Sequence, residues 1–308
     1  MTTIFYRNLK NDRIKISKKF RVGSWLHLEN PDLEDIESLC LKFRLDKTIV
    51  KDILDEYEVP RIEKEENIVY LFTRFASSDI DALSVQTSPL LFVIGDDFFL
   101  TIALKSLSFL KKEKLQKLNI FTTQKSKLLI LILKENDKNY FNLINQISKT
   151  IRRTSTNIES ISNQEIMQFL AIESTLNKLL FGLDPDHTNL TSLLSGKYLK
   201  LFEEDKDLIE DVALNNGQLV KMCKSEINHV ANIREAYSNI ISNNLNKTMK
   251  LLTALTLILT IPTMIFSFFG MNVKLPFDGH HLASLVIILG TLILTLGLLA
   301  WFQKKDLL

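Results

Sequence analysis

Residues 251–273 read LLTALTLILTIPTMIFSFFGMNV and contain no charged side chain. A second uncharged run, LASLVIILGTLILTLGLLAWFQ, fills 282–303. The hydrocarbon core of a bilayer is about 30 Å thick, and about 20 apolar residues cross it as a helix. Both runs meet that length, so the chain reads as a membrane protein with a two-helix transmembrane hairpin. The linker between the runs, 271–281, is short and holds one lysine, Lys274, and one aspartate, Asp278. Lys247 and Lys250 precede the first run, and Lys304 and Lys305 follow the second. Lysine near span ends marks the cytoplasmic side. Both termini and the large N-terminal part are therefore expected in the cytoplasm of a cell-membrane protein, with the linker outside.

Working outward, the 308 residues carry 46 % hydrophobic and 24 % charged side chains, ordinary globular values. Lysine plus arginine is 38 against 36 acidic residues, a net charge of +2. A nucleic-acid binder would show a far larger basic excess, so no nucleic-acid partner is expected. Cys40 and Cys223 are too few and too far apart for a disulfide framework or a four-ligand zinc site. The first eleven residues are polar, and no signal peptide is expected there. Gly-rich phosphate loops, paired cysteines, His-Glu-x-x-His and Gly-x-Ser-x-Gly are all missing from the sequence. The chain does not read as an enzyme.

The fold expected is an α+β cytoplasmic domain joined to a long stalk helix and the transmembrane hairpin, mainly α overall. Boundaries are expected at 1–130 for the α/β domain and 131–204 for a helical hairpin region. The stalk helix continuing into the first span takes 205–270, the outer loop 271–281, the second span 282–303 and a basic tail 304–308. Within the first part, 24–28, 61–63, 68–75, 90–94 and 98–102 alternate or run apolar like strands, with Gly95-Asp96-Asp97 as a hairpin turn. Helices are expected from Asn30-Pro31-Asp32 to about Phe43, with the proline in the first turn, and over about 47–56 and 106–117. From about Lys125 onward the pattern is helical, broken at 182–186 and near Ser195-Gly196. Asp184, Asp186 and His187 read as loop and helix cap rather than as a metal site.

The first span carries Thr253, Thr256, Thr260, Thr263 and Ser267 at spacings of 3, 4, 3 and 4. That is one helix face, at the 3.5-residue repeat of a bundle seam. The same stepping reaches Gly270 in one direction and Met249, Asn246, Ser242, Asn239, Glu235, Asn232 and Asn228 in the other. In the cytosol such a line is a solvated face. Inside a bilayer it is either glue between helices or the wall of a water-filled path, and a path needs several copies around an axis. Pro262 frees the carbonyl of Ile258, for which Thr263 or water is the expected partner. A second line, Ile209, Ala213, Val220, Cys223, Ile227, Val230, Tyr237 and Ile241, should pack the stalk against neighbours. It is interrupted at Asn216 and Arg234, and Gly217 is the expected place for a bend.

Phe269-Gly270-Met271-Asn272 closes the first of the two spans. A Gly-Met-Asn tripeptide in that place resembles the CorA family of divalent-cation transporters. The run from Asn246 to Lys250, Leu252-Thr253 and Pro262-Thr263 is similar to that family's first span. Trp25, Asn30-Pro31 and 58–63 resemble its N-terminal domain. The resemblance implies a homopentameric funnel, with the second span as an outer ring facing the lipid bilayer. Carried across position by position, its pore lining falls on Asn246, Met249, Leu252, Thr256, Thr260, Thr263, Gly270 and Asn272. The stripe adds Thr253 and Ser267. Ion selection is expected at Gly270, Met271 and Asn272, and apolar constrictions at Met249 and Leu252.

Phe269 stands where that family usually has tyrosine, and only Asp278 brings negative charge to the outer loop. The resemblance also implies that intracellular Mg²⁺ between protomers holds the closed form. Asp207 and Asp211, in the acidic run that starts at Glu203, are the candidate regulatory ligands, although acidic residues favour helix N-termini in any case. The expected function is potential-driven Mg²⁺ uptake. His280 and His281 motivate an alternative, a Zn²⁺, Co²⁺ or Ni²⁺ transporter. A membrane-anchored coiled-coil scaffold or sensor is the alternative from a different class, and it has no use for the hydroxyl stripe.

Overall fold

The structure is a computed structural model that describes residues 2–8, 13–78, 85–107, 120–155, 161–271 and 282–305. The chain divides into two compact units, Met1–Ile233 and Arg234–Leu308. The first unit is built on a seven-stranded sheet. Its strands are β1 (Thr2–Tyr6), β2 (Lys15–Ser17), β3 (Trp25–Glu29), β4 (Arg61–Glu65), β5 (Ile68–Ser78), β6 (Val85–Ile94) and β7 (Phe99–Ala103). They lie in the order β2-β1-β3-β7-β6-β5-β4. Only β3 and β7 pair in parallel among these neighbours, with Trp25 opposite Phe99.

Successive residues of the central strands are buried on opposite faces, so these strands read as near-continuous apolar runs. On one face Tyr70, Phe72, Leu91, Val93, Leu100 and Ile102 pack with α1 (Leu33–Phe43) and α2 (Lys47–Lys51). On the other, Val69, Leu71, Leu90, Phe92 and Phe99 pack against three long helices. These are α3 (Lys125–Thr154), α4 (Asn163–Leu194) and the start of α5 (Glu203–Phe269). The second unit holds the rest of α5 and α6 (Ala283–Lys304).

Several local expectations need correction. Pro31 lies outside α1, because Asp32 is the N-cap and accepts from the Asp35 amide at 2.8 Å in a reciprocal capping box. The second helix is shorter than 47–56. It buries Val50, stops at Lys51 and tightens into a 3₁₀ turn, Asp52–Leu54, which buries Ile53. β1 and β2 were not expected, since strands of five and three residues show little alternation, and β1 is specified by its pairing with β3. The helix expected over 106–117 lies mostly outside the described residues. The Gly95 turn is a hairpin, with the Gly95 amide donating to the Phe98 carbonyl at 3.1 Å.

The helical half departs from expectation in three places. No loop forms at 182–186: α4 runs through Pro185 to Leu194. Asp186 is buried there and accepts from the Thr73 hydroxyl, and Asp184 pairs with Lys224 of α5 at 2.8 Å. These contacts hold the helix across the donor that proline lacks. A break not expected does occur, because α3 ends at Thr154 with Ser155 as cap and α4 starts afresh from the Ser162 capping box. Helix α5 continues through Gly217, where the lack of a side chain leaves room for His187 of α4.

Candidate functional site

The hydroxyl stripe lies in the C-terminal part of α5, in the second unit. Each threonine donates to the carbonyl four residues back: Thr253 to Met249 and Thr256 to Leu252 at 2.8 Å, Thr260 to Thr256 at 2.7 Å, and Thr263 to Leu259 at 2.8 Å. Thr263 thus serves Leu259, not the Ile258 carbonyl freed by Pro262. The consequence is chemical. A hydroxyl has one proton and two lone pairs, and here the helix itself takes the proton. Each oxygen therefore offers only acceptor capacity away from the helix, which suits the hydrogens of a hydrated cation. All four threonines, Ser267, Asn246, Met249 and Leu252 are exposed in the single chain.

Helix α5 ends at Phe269. The Gly270 amide still donates to the Phe266 carbonyl at 3.0 Å, and Met271 to the Phe268 carbonyl at 3.4 Å. A Cβ on Gly270 would meet only carbonyls of its own turn, the Phe266 oxygen at 3.2 Å and the Ser267 oxygen at 3.6 Å. Carbonyls at a helix C-terminus carry the negative end of the helix dipole. This end of α5 is thereby disposed toward cations without any formal charge. Met271 is exposed, whereas Asn272, Lys274, Asp278, His280 and His281 lie outside the described residues.

The apolar parts of α5 and α6 are each long and apolar enough to cross a membrane. Both stretches are almost wholly exposed in the single chain, unlike the core helix of a soluble fold.

At the other end of α5, Asp207 and Asp211 are exposed and one helical turn apart, so they share a face. Lys206 binds Glu203 at 2.7 Å and Asp205 is buried. Among the described residues no group of three or more His, Cys, Asp or Glu could hold a metal ion within one chain. Of the apolar stalk line, Ile209, Ala213, Val220, Cys223 and Val230 are buried, whereas Ile241 is exposed. Asn216, read as an interruption of that line, is 1 % exposed and donates to Asp137 Oδ1 of α3 at 3.1 Å. Both Asn216 and Asp137 sit on apolar helix faces, which is the one sequence signal for a buried polar pair.

The family described as CorA-like Mg²⁺ transporter protein matches residues 21–305 of the chain. The chain belongs to the CorA family. A cobalt/magnesium transport protein CorA from Methanocaldococcus jannaschii is 24 % identical over 256 residues, covering 80 % of this chain and 79 % of the relative. A magnesium transport protein CorA from Campylobacter jejuni is 26 % identical over 172 residues, 53 % of this chain and 51 % of the relative. The complete structure of the CorA magnesium transporter from M. jannaschii superposes with a TM-score of 0.86 at 19 % identity, covering 99 % and 98 % of the two chains. The full-length CmaX protein gives 0.75 at 16 % identity, with 99 % and 96 % covered. CorA structures thus share the architecture described above: a sheet-based α/β domain, a long helix and terminal apolar helices.

Proposed function

We propose that this CorA-family chain conducts divalent cations, Mg²⁺ first among them, through a homopentameric pore lined by the exposed stripe of α5. The observation that carries this reading is the coincidence of that stripe with Gly270-Met271-Asn272 at the end of the same helix. A single hairpin encloses no path, so copies around an axis are required, and five is the number that the resemblance implies. Mg²⁺ gives up its waters reluctantly. A ring of Asn272 amide oxygens and Gly270 carbonyls would bind the hydrated ion through neutral acceptors. The threonine oxygens then continue water contact without a trapping charge, so binding stays weak enough to release. Met249 and Leu252 would form apolar constrictions that close by dewetting.

The driving force is the membrane potential. A divalent ion moving to the negative side gains about 4.6 kcal/mol per 100 mV, from about 2.3 per unit charge. The α/β unit and both termini are assigned to the cytoplasmic side on the lysine distribution. The domain boundaries are those given from sequence: 1–130, 131–204, 205–270, 271–281, 282–303 and 304–308. Asp207 and Asp211 would meet a Mg²⁺ ion only with help from a neighbouring protomer, and would then hold the closed form.

Mg²⁺ uptake into proteoliposomes under an inside-negative potential tests the proposal, comparing wild type with Asn272→Ala. Uptake in wild type and at least about tenfold less in the variant is expected, as for loss of a charge-assisted contact of about 1.5–3 kcal/mol. His280-His281 favours a second reading, which Zn²⁺, Co²⁺ or Ni²⁺ uptake without Mg²⁺ would select. No flux of any ion from a correctly assembled oligomer would reject transport in favour of a scaffold.

A further inference from the structure

The first unit contains a buried polar cluster that a transport path does not use. It lies where α3, α4, α5 and β5 meet, around a cavity of about 10 Å³ lined by Asn136, Asp137, Asp186, Asn189 and Asn216 among leucines. Three of its oxygens have no partner among the described residues: Asn136 Oδ1, Asp137 Oδ2 and Asn216 Oδ1. Their residues are 3 %, 9 % and 1 % exposed. The amide orientations are settled by their donors, because Asn136 Nδ2 donates to the Arg74 carbonyl at 2.9 Å and Asn216 Nδ2 to Asp137 Oδ1 at 3.1 Å. Three nearby donors are engaged elsewhere. Thr73 serves Asp186, Tyr140 Oη donates to the Arg74 carbonyl at 3.1 Å, and Asn189 Nδ2 donates to the Phe72 carbonyl at 3.4 Å.

All three free valences are therefore acceptors. A cavity of this size admits about one water, which brings two hydrogens to three oxygens. The count closes once a proton sits on Asp137 Oδ2, turning an acceptor into a donor for either amide oxygen. A dehydrated Mg²⁺ ion fits less well, since it demands six ligands in near-octahedral geometry and usually keeps several waters.

We propose that Asp137 is a proton-binding group whose occupancy sets how firmly the Asn216 turn of α5 is held against α3 and α4. When neutral, Asp137 links both asparagines. When ionised, it confronts two amide oxygens and the carboxyl of Asp186 with no hydrogen to offer. Burial pushes the Asp137 carboxyl up to about 7, opposed by the hydrogen bond from Asn216. The ionisable groups beside it are Asp186 of α4, raised by burial against the Thr73 bond, and Tyr140 of α3, raised by burial; Arg74 of β5 and Cys223 of α5, the latter also raised by burial, stand behind them and act on Tyr140. His187 of α4, whose Nδ1 is buried beside Gly217 of α5, is the remaining titratable neighbour.

The test is pH-difference infrared spectroscopy of the full-length purified protein between about pH 5 and about pH 9. Wild type should lose a buried carboxylic C=O stretch with a midpoint near 7. Asp137→Asn should lack that change, while His187→Gln and Asp186→Asn keep it. Asn216→Leu, which removes the bond that lowers the carboxyl, should move the midpoint up. A wild type with no such loss overturns the proposal, even if the variants fail to fold. So does a change that survives unaltered in Asp137→Asn. The result does not depend on whether the protein transports ions, and a failed flux assay leaves it standing.

Discussion

Gly182 of α4 and Gly217 of α5 show how single positions are decided by neighbours remote in sequence. A Cβ on Gly182 would lie 2.5 Å from Tyr140 Oη and 3.2 Å from Arg74 Cβ. Tyr140 is fully buried and its hydroxyl is bonded, so it has nowhere to retreat. Gly182→Ala is therefore expected to lower the thermal midpoint, with a loss of about 1–3 kcal/mol for overpacking that outweighs the helix propensity gained. On Gly217 the contact would be His187 Cε1 at 2.9 Å, on a ring that is half-buried where Tyr140 is fully buried, so Gly217→Ala should cost less. Asp137 adds a signed effect of pH. Its folded value of about 7 exceeds the ordinary 3.8. The stability it brings is complete below about pH 4, falls as pH rises to about 7, and is flat above. Thermal unfolding of Asp137→Asn should lack that part of the decline.

Among elements, α4 and α5 illustrate opposite outcomes of pattern reading. The Gly-Leu-Asp-Pro-Asp run carries every local mark of a loop, yet α4 passes through it because Asp186 and Asp184 find partners on β5 and α5. Local propensity counts for little against a buried, bonded helix. On α5, by contrast, the 3-4 spacing of Thr253 to Ser267 needed no tertiary information, since one helix face follows from periodicity alone. The structure adds the direction of the hydroxyl protons. On the proposed function, the triple change Thr256→Val, Thr260→Val and Thr263→Val keeps shape while removing the acceptors. It should cut Mg²⁺ flux by about tenfold or more, at about 1 kcal/mol per lost contact, without altering assembly on size-exclusion chromatography. Unchanged flux would mean that the stripe only packs helices.

For the whole molecule, the proposed pore makes oligomer number measurable, and native mass spectrometry in detergent should give five copies of the 35.5 kDa chain. A monomer or dimer with intact flux would contradict a pore built from one helix per protomer. The two apolar runs, the hydroxyl stripe, the Gly-Met-Asn end of α5 and most strand and helix positions were legible in the residues themselves. Each depends on length, composition or periodicity, which are properties of contiguous chain. The strand order was not legible, because β3 joins β7 across more than seventy residues and only the packed helical layers select that pairing. Nor was the cluster of Asn136, Asp137, Asp186 and Asn216, drawn from three helices. Sequence by itself determined which segments are long and apolar enough to cross a bilayer and which face of α5 is polar, because hydropathy and helical period act locally. Only tertiary structure decided which polar groups are buried together, because desolvation depends on what the rest of the chain excludes from water.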